Sequence, residues 1–281
     1  MKFGCCLSAG SFVPQVREGD AAIAGGDGIT RSLEVVKEAG FDFVELTVRS
    51  VMNPPGGDLD ALAAALQRSG LSPMAFNSFI PTDIRITGPD VDWERLNEYV
   101  AEACARVARL GGELIVFGSG GARSYPADWP AAHGWEQLVR FLGMTAEAAG
   151  RHGLSIAIEP LNKLEDNAVN SVSQGIQLAE AVGREQIRTL ADLYHMEMEH
   201  EPYEVVRRYG AQLIHVHVAD TGRRAPGTGD WDYAGFFQEL IGGGYGGAVS
   251  IECKWESFAD QAEAACRVLR EAWRRAEERV D

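Results

Sequence analysis

The segments Leu154-Ser155-Ile156-Ala157-Ile158-Glu159 and Ala248-Val249-Ser250-Ile251-Glu252 share one pattern. In each of them, large aliphatic residues alternate with small residues, and the small series ends in a glutamate. Successive side chains of a β-strand point to opposite faces, so both segments predict strands with one aliphatic and one small face. We expect the aliphatic face to pack against helices and the small face to line the narrow interior of a barrel.

Strand-like segments alternate with helical segments along the whole chain. Helical spacing of apolar residues is clearest over 91–110, and a last amphipathic helix is predicted over 260–279. Strict alternation predicts an α/β fold with a parallel sheet. Because no glycine-rich nucleotide loop follows the first strand, the sequence favours a closed (β/α)8 TIM barrel over an open doubly wound sheet. A barrel of this type needs roughly 250 residues, so we expect a single domain over residues 1–281. The predicted strands are 2–7, 43–47, 73–78, 113–117, 154–159, 187–192, 213–219 and 248–252.

The composition argues against several classes of partner. The chain has 26 basic and 41 acidic residues, and its net charge of −15 repels nucleic acid and anionic membranes. No apolar run approaches the ~20 residues that cross a bilayer, and the N-terminus does not have the pattern of a secretion signal. The five cysteines are odd in number and form no CxxC pair, which indicates a reduced protein. We therefore expect a cytoplasmic protein that acts on a small molecule.

Each of the last four predicted strands carries a polar side chain near its carboxyl end. These side chains are Glu159, Asp192, His217 and Glu252. Barrel enzymes keep their catalytic groups at this rim, so we expect the four side chains to meet there. Three carboxylates at short range repel one another unless a cation lies between them. One imidazole and three carboxylates suit one divalent ion, with Mn2+ preferred and Mg2+ or Co2+ as alternatives.

Each of these residues also has a simpler interpretation. A lone carboxylate at a strand end is often a helix N-cap or a solvated residue, and a lone strand histidine is often a core polar group. Four such residues in phase on successive strands favour the metal interpretation. His215 lies one layer deeper than His217 on the same predicted face, opposite Ile214 and Val216. It is either a core polar group or a partner of the site.

Several segments around these residues carry a further signal. They are Glu159-Pro160-Leu161-Asn162-Lys163, Asp192-Leu193-Tyr194-His195-Met196, His215-Val216-His217-Val218-Ala219-Asp220, Pro226-Gly227-Thr228-Gly229-Asp230 and Ile251-Glu252. They resemble the sugar isomerase/epimerase branch of the xylose isomerase-like barrel superfamily, which includes ketohexose 3-epimerases and hydroxypyruvate isomerase. The resemblance implies that the four rim residues bind the metal and that the two glutamates also act as acid and base. It further implies that Glu165, His195 and Arg223 contact a sugar substrate, and that the chain forms a homodimer or homotetramer.

The chemistry implied by this resemblance begins with removal of a proton next to a carbonyl, giving an enediolate that the metal stabilises. If Glu159 and Glu252 act from opposite faces, the carbon is inverted, as in an epimerase. If one glutamate moves a proton between adjacent carbons, a ketose becomes an aldose.

Three other classes remain open at the level of sequence. The same metal and bases could serve a dehydratase or lyase of a cyclic polyol ketone (inosose-type). An abasic-site endonuclease would need more than the six histidines present and a less acidic surface. A non-catalytic sugar-binding protein would have no need for two metal-bound glutamates. Should the substrate carry a phosphate, Arg123 and Arg223 could contact it.

Overall fold

Eight parallel strands form one closed barrel in the computed structural model, which describes residues 1–7 and 27–280. The strands, numbered β1 to β8 in chain order, are Phe3–Cys6, Phe43–Thr47, Ser72–Asn77, Leu114–Phe117, Ser155–Ile158, Ile187–Asp192, Leu213–Val218 and Ala248–Ile251. Each strand pairs with the next, and β8 closes the barrel on β1. The predicted α/β class and (β/α)8 TIM barrel are therefore confirmed.

Helices follow the strands and pack on the outside of the barrel. The α-helices among the described residues, numbered α1 to α11, are Asp27–Glu38, Val48–Met52, Leu59–Ser69, Trp93–Arg109, Gly120–Arg123, Ala131–Gly150, Val172–Val182, Leu193–Met198, Glu204–Tyr209, Tyr233–Gly242 and Phe258–Val280. Helix α4 begins where the Asp92 carboxylate accepts the amide N–H of Arg95. Its buried face includes Leu96, Val100 and Val107 at helical spacing. The two helices singled out in the sequence correspond to α4 and α11.

The strand faces divide as the alternation predicts. Ile156 of β5 and Val249 of β8 belong to the large core cluster between the barrel and its helices. The opposite faces line the barrel, where Ala75, Leu114, Val116, Ala157 and Leu190 form a separate buried cluster. The lower part of the barrel is therefore a packed core, and the polar residues lie above it.

One predicted face assignment is wrong. Ile214, expected on the helix-facing side of β7, packs against the cluster inside the barrel. The pairing of β6 with β7 shifts after Thr189, so that Leu213 and His215 lie opposite successive residues of β6. Ile214 is thus the extra residue of a β-bulge, which re-aims the side chains that follow. The bulge lets Leu213 join the outer core while His215 and His217 point inward.

Among the helices that the structure describes, none combines the length and the apolar character that a bilayer-crossing segment requires.

Candidate metal centre

Four side chains from four consecutive strands converge at the carboxyl end of the barrel. Glu159, Asp192, His217 and Glu252 each offer one ligand atom, and these atoms all lie within 4.8 Å of one another. The two glutamates directly follow β5 and β8, while Asp192 ends β6 and His217 lies in β7. The first three side chains are buried, and Glu252 is partly buried. The structure thus brings together the four residues that the strand pattern placed at the rim.

The carboxylate of Asp192 is both a helix N-cap and a candidate metal ligand, the two roles that a carboxylate at a strand end can have. Its Oδ1 accepts the amide N–H of Tyr194 at 2.7 Å and caps helix α8. Its Oδ2 is buried and has no hydrogen-bond partner among the described residues. A buried carboxylate oxygen without a partner is costly unless a cation or another donor satisfies it. One oxygen therefore starts a helix, and the other is available to a metal.

The Glu159 carboxylate packs closely against Gly118, the residue that follows β4. A Cβ atom added to Gly118 would lie 2.2 Å from Glu159 Oε2, so this position tolerates no side chain while the carboxylate keeps its place. On the other side, Glu159 Oε1 lies 2.9 Å from His217 Nδ1. The glycine and the histidine together fix where the carboxylate can lie.

The ionisable groups of this cluster shift one another's pKa values. Burial raises the pKa of Glu159, and the charge of Glu252 raises it further. Burial alone would also raise the pKa of Glu252, but the attraction of His217 and Arg223 lowers it to about 2. The pKa of His217 lies well above its usual value, because Glu45 and other acidic groups outweigh the burial that would lower it. The surplus of carboxylates favours a bound cation.

Glu45, in the middle of β2, contacts the site from across the barrel and is a site residue that the sequence pattern does not predict. Its side chain is fully buried, with Oε1 3.0 Å from His217 Nε2 and Oε2 2.9 Å from His215 Nε2. The two histidines keep the pKa of Glu45 below its usual value, although burial alone would raise it. The sequence does contain one indication of its role: Glu45 is an ionisable residue between the apolar residues Val44 and Leu46, in a strand that is otherwise mostly apolar.

Cys6 lies beside Glu45 and His217, and these three residues form a second group with the spacing of possible metal ligands. Burial raises the pKa of the Cys6 thiol well above its usual value. Within this group, His217 Nε2 and the Glu45 carboxylate already contact each other, and Glu45 also contacts His215, so fewer donor atoms are left than at the rim. The carboxylate-rich group at the rim is the better candidate.

The three predicted substrate contacts surround the same cluster. Arg223 Nη2 donates to Glu252 Oε2 at 2.7 Å, and its Nη1 lies 3.3 Å from Glu165 Oε1. The guanidinium also lies 4.9 Å from the centre of the Tyr194 ring. His195 is buried, and its Nε2 lies 3.6 Å from Asp192 Oδ2 without a hydrogen-bond partner among the described residues. All three therefore border the predicted metal site.

The structure does not support Arg123 as a contact for a substrate phosphate. Its side chain is fully buried and paired with Asp166 at 2.7 Å. Its remaining donors reach the backbone oxygens of Phe117 and Glu159, each at 2.8 Å. With its donors occupied inside the protein, Arg123 is not available to a substrate phosphate. It instead ties the end of β4 to the backbone of a predicted ligand.

Asn77, at the end of β3, is a further site residue that the sequence pattern does not predict. Its Nδ2 donates to Glu252 Oε1 at 3.0 Å. Glu252 is thus held from both sides, by Asn77 on one oxygen and by Arg223 on the other.

The chemistry of this donor set fits a divalent cation. Carboxylate oxygens and one imidazole are ligands that Mn2+, Mg2+, Co2+ and Zn2+ accept. The unpartnered Oδ2 of Asp192 and the surplus of acidic groups both point to a positive ion at this place. Barrel enzymes keep their catalytic groups at the carboxyl rim, which is where this carboxylate–histidine cluster lies.

Residues 33–272 match the family described as xylose isomerase-like TIM barrel, and the chain belongs to this family. It is 28% identical to an L-ribulose 3-epimerase of Mesorhizobium japonicum, over 83% of this chain and 78% of that protein. It is 26% identical to a 3-dehydro-D-guloside 4-epimerase of Escherichia coli, over 80% of this chain and 87% of that protein. A solved structure of an L-ribulose 3-epimerase has a TM-score of 0.84 at 23% identity, covering 99% of this chain and 97% of that one. The predicted family is confirmed, and the relatives support an enzyme of the isomerase or epimerase class.

Proposed function

We propose that this protein is a divalent-metal-dependent sugar isomerase or epimerase that acts on a ketose or a related hydroxy-carbonyl compound. The proposal is carried by two glutamates that approach one point from strands that are not neighbours. His217 Nδ1 lies 2.9 Å from Glu159 Oε1 and 3.5 Å from Glu252 Oε2. The names of the epimerase relatives support the same reaction class and a small sugar as substrate.

The four rim residues would hold the ion. A divalent cation there supplies Lewis-acid stabilisation of the negative charge that develops when a proton leaves a carbon next to a carbonyl. Because the donors are three carboxylates and one imidazole, Mn2+ is preferred, with Mg2+ and Co2+ as alternatives.

Glu159 and Glu252 are the proposed acid and base. A base acts within hydrogen-bonding reach of the proton that it removes. Since the two carboxylates follow β5 and β8, a flat intermediate between them can lose a proton to one and gain a proton from the other. This arrangement inverts one carbon and favours epimerisation. Movement of a proton by a single glutamate between adjacent carbons would give an aldose instead.

The groups around these glutamates have proposed supporting roles. Arg223 would bind substrate oxygen that becomes negative, since its guanidinium already lies against Glu252. His195 would donate from Nε2 to a substrate oxygen, because its Nδ1 accepts the backbone N–H of Asn162. Glu165, hydrogen-bonded to the Asn162 amide at 3.0 Å, would orient a substrate hydroxyl.

The test replaces each glutamate by its amide. Glu159→Gln and Glu252→Gln keep the shape of the side chain but remove its basicity, so turnover should fall by roughly 10²-fold or more. The substrates are L-ribulose and D-psicose, which appear in the names of two relatives. Turnover is measured at saturating Mn2+, so that weaker metal binding does not explain the loss. Glu185→Gln, an exposed glutamate remote from the rim, is the matched control. Near wild-type turnover of either rim variant would exclude that glutamate as the base.

The same sugars in D2O distinguish the reaction types. Deuterium at an inverted carbon supports the epimerase, and formation of an aldose supports the isomerase. Loss of water to a keto product would support the dehydratase alternative. No turnover of any ketose tested, with Mn2+ bound, would contradict the proposed function.

A further inference from the structure

The carboxylate of Glu45 holds two histidine rings below the rim cluster. Glu45 Oε1 and Oε2 lie 3.0 Å and 3.2 Å from His217 Nε2, and Oε2 lies 2.9 Å from His215 Nε2. All three side chains are fully buried. An ionised carboxylate only accepts hydrogen bonds, so each ring presents a protonated Nε2 to Glu45.

This arrangement decides which nitrogen of His217 faces the cluster of predicted ligands. With Nε2 protonated and turned towards Glu45, Nδ1 is the nitrogen that lies near Glu159 and Glu252. Metal-binding histidines commonly donate their other ring N–H to a carboxylate, which fixes the ring and increases its basicity.

We propose that Glu45 is a positioning residue that fixes His217 with Nδ1 towards the metal. The inference rests on the proposed function, since it concerns the same metal site. His215 completes the arrangement: its ring packs edge-on against His217, with centroids 5.0 Å apart, and it donates to the same carboxylate. Of the two interpretations that the sequence left open for His215, partnership with the site is the one that this geometry favours.

An apolar residue would fill the position of Glu45 without the cost of burying a charge. The neighbouring interior cluster, with Ala75 and Leu190, shows that this barrel uses apolar residues where no polar contact is needed. The carboxylate is therefore explained by what it binds, not by packing alone.

The deciding experiment measures the affinity for Mn2+ by calorimetry, using chelator-stripped wild type and Glu45→Gln. A glutamine is neutral and has an NH2 donor in place of one carboxylate oxygen. If its oxygen keeps the contacts of Oε2, the NH2 takes the place of Oε1, 3.0 Å from His217 Nε2, where it cannot accept that N–H. We expect the Kd for Mn2+ to rise by roughly 10–100-fold, the usual effect of losing a partner of a metal ligand. This measurement needs no substrate and no turnover.

Glu199→Gln is the matched control. It removes one negative charge from the same end of the barrel, where Glu199 accepts hydrogen bonds from the backbone and the side chain of Lys163. If general electrostatic attraction explained the effect, both variants would lose affinity alike, and the inference would be overturned. A Glu45→Gln variant with wild-type affinity would also overturn it. A wild type that binds no Mn2+ would contradict the proposed function as well, so the two failures are distinguishable.

A second measurement does not depend on the folding of a variant. In wild type loaded with diamagnetic Zn2+ and labelled with 15N-histidine, ring nitrogen shifts report which nitrogen is protonated. We expect a protonated Nε2 and a metal-bound Nδ1 at His217. The reverse assignment would overturn the inference even if Glu45→Gln fails to fold.

Discussion

Gly118 shows how much a single missing side chain contributes to the candidate metal centre. It follows β4 directly, and the space that a Cβ would occupy is filled by Glu159 Oε2. The backbone of β4 can therefore approach the carboxylate closely enough to confine it. The position of the Glu159 carboxylate therefore depends on the absence of a Cβ at Gly118.

Gly118→Ala should displace Glu159, because the new Cβ would lie 2.2 Å from Oε2. A misplacement of about 1 Å can cost roughly 10²-fold in rate, so we expect a loss of that order in turnover together with weaker Mn2+ binding. Both are measured on the same preparation. Gly143→Ala in helix α6 is the control, since a Cβ there meets nothing within 4 Å. Equal behaviour of the two variants would contradict this account of Gly118.

Some site residues can be predicted from the sequence, and others cannot. Glu159 and Glu252 end strands with a clear alternation, so their direction and position follow from the pattern. Glu45 and Arg123 depend on partners far away in the chain; Glu45 and His217, for example, are 172 positions apart. A charged residue in an apolar strand indicates that a buried partner exists, but one sequence does not identify it.

The β-bulge in β7 explains why the predicted face is right for His215 and His217 but wrong for Ile214. Simple alternation places Leu213, His215 and His217 on one face. The bulge at Ile214 breaks this phase, so Leu213 faces the outer core while the histidines face inward. A bulge is specified by pairing with the neighbouring strand, which local alternation does not contain.

A buried ion pair fixes two other elements, β4 and the segment after β5. Arg123 and Asp166 are both fully buried, and Asp166 also accepts the Ser124 hydroxyl at 2.9 Å and the Val169 amide at 3.2 Å. Because Arg123 also donates to the backbone oxygen of Glu159, this pair helps to fix the backbone of a predicted metal ligand.

Asp166→Asn should destabilise the protein by about 3–5 kcal/mol, since it leaves the buried Arg123 charge without its ionic partner. Urea unfolding measures this loss. The matched control is Asp83→Asn, the same chemical change in the pair with Arg95, whose side chains are 69% and 52% exposed. That exposed pair should contribute little. Similar urea midpoints for the two variants would show that the buried pair contributes no more to stability than the exposed pair.

The candidate site draws on residues in or directly after six of the eight barrel strands. Its four predicted ligands come from β5 to β8, while Glu45 and Asn77 support them from β2 and β3. An ion bound only by the folded barrel stabilises it by mass action.

Removal of the ion should therefore lower the melting temperature. With free Mn2+ at 100 times its Kd, the added stability is about 2.7 kcal/mol, and the melting temperature should rise with each increase in Mn2+ concentration. Thermal unfolding of chelator-stripped protein in a Mn2+ series measures the effect. Asp192→Ala, which removes one predicted ligand, should show a much smaller rise. A melting temperature that does not respond to Mn2+ in the wild type would contradict the metal site.

The closure of β8 on β1 also has a consequence during synthesis. At translation rates of roughly 5–20 residues per second, about 10–30 s pass between the addition of Glu45 and that of His217. For most of that time the carboxylate of the nascent chain has neither of the histidine partners that it contacts in the folded barrel. Glu252 is added later still, just after the strand that closes the barrel. A ribosome-bound chain therefore acquires its sheet closure and its last predicted ligand in the same late step, so premature termination before β8 removes both at once.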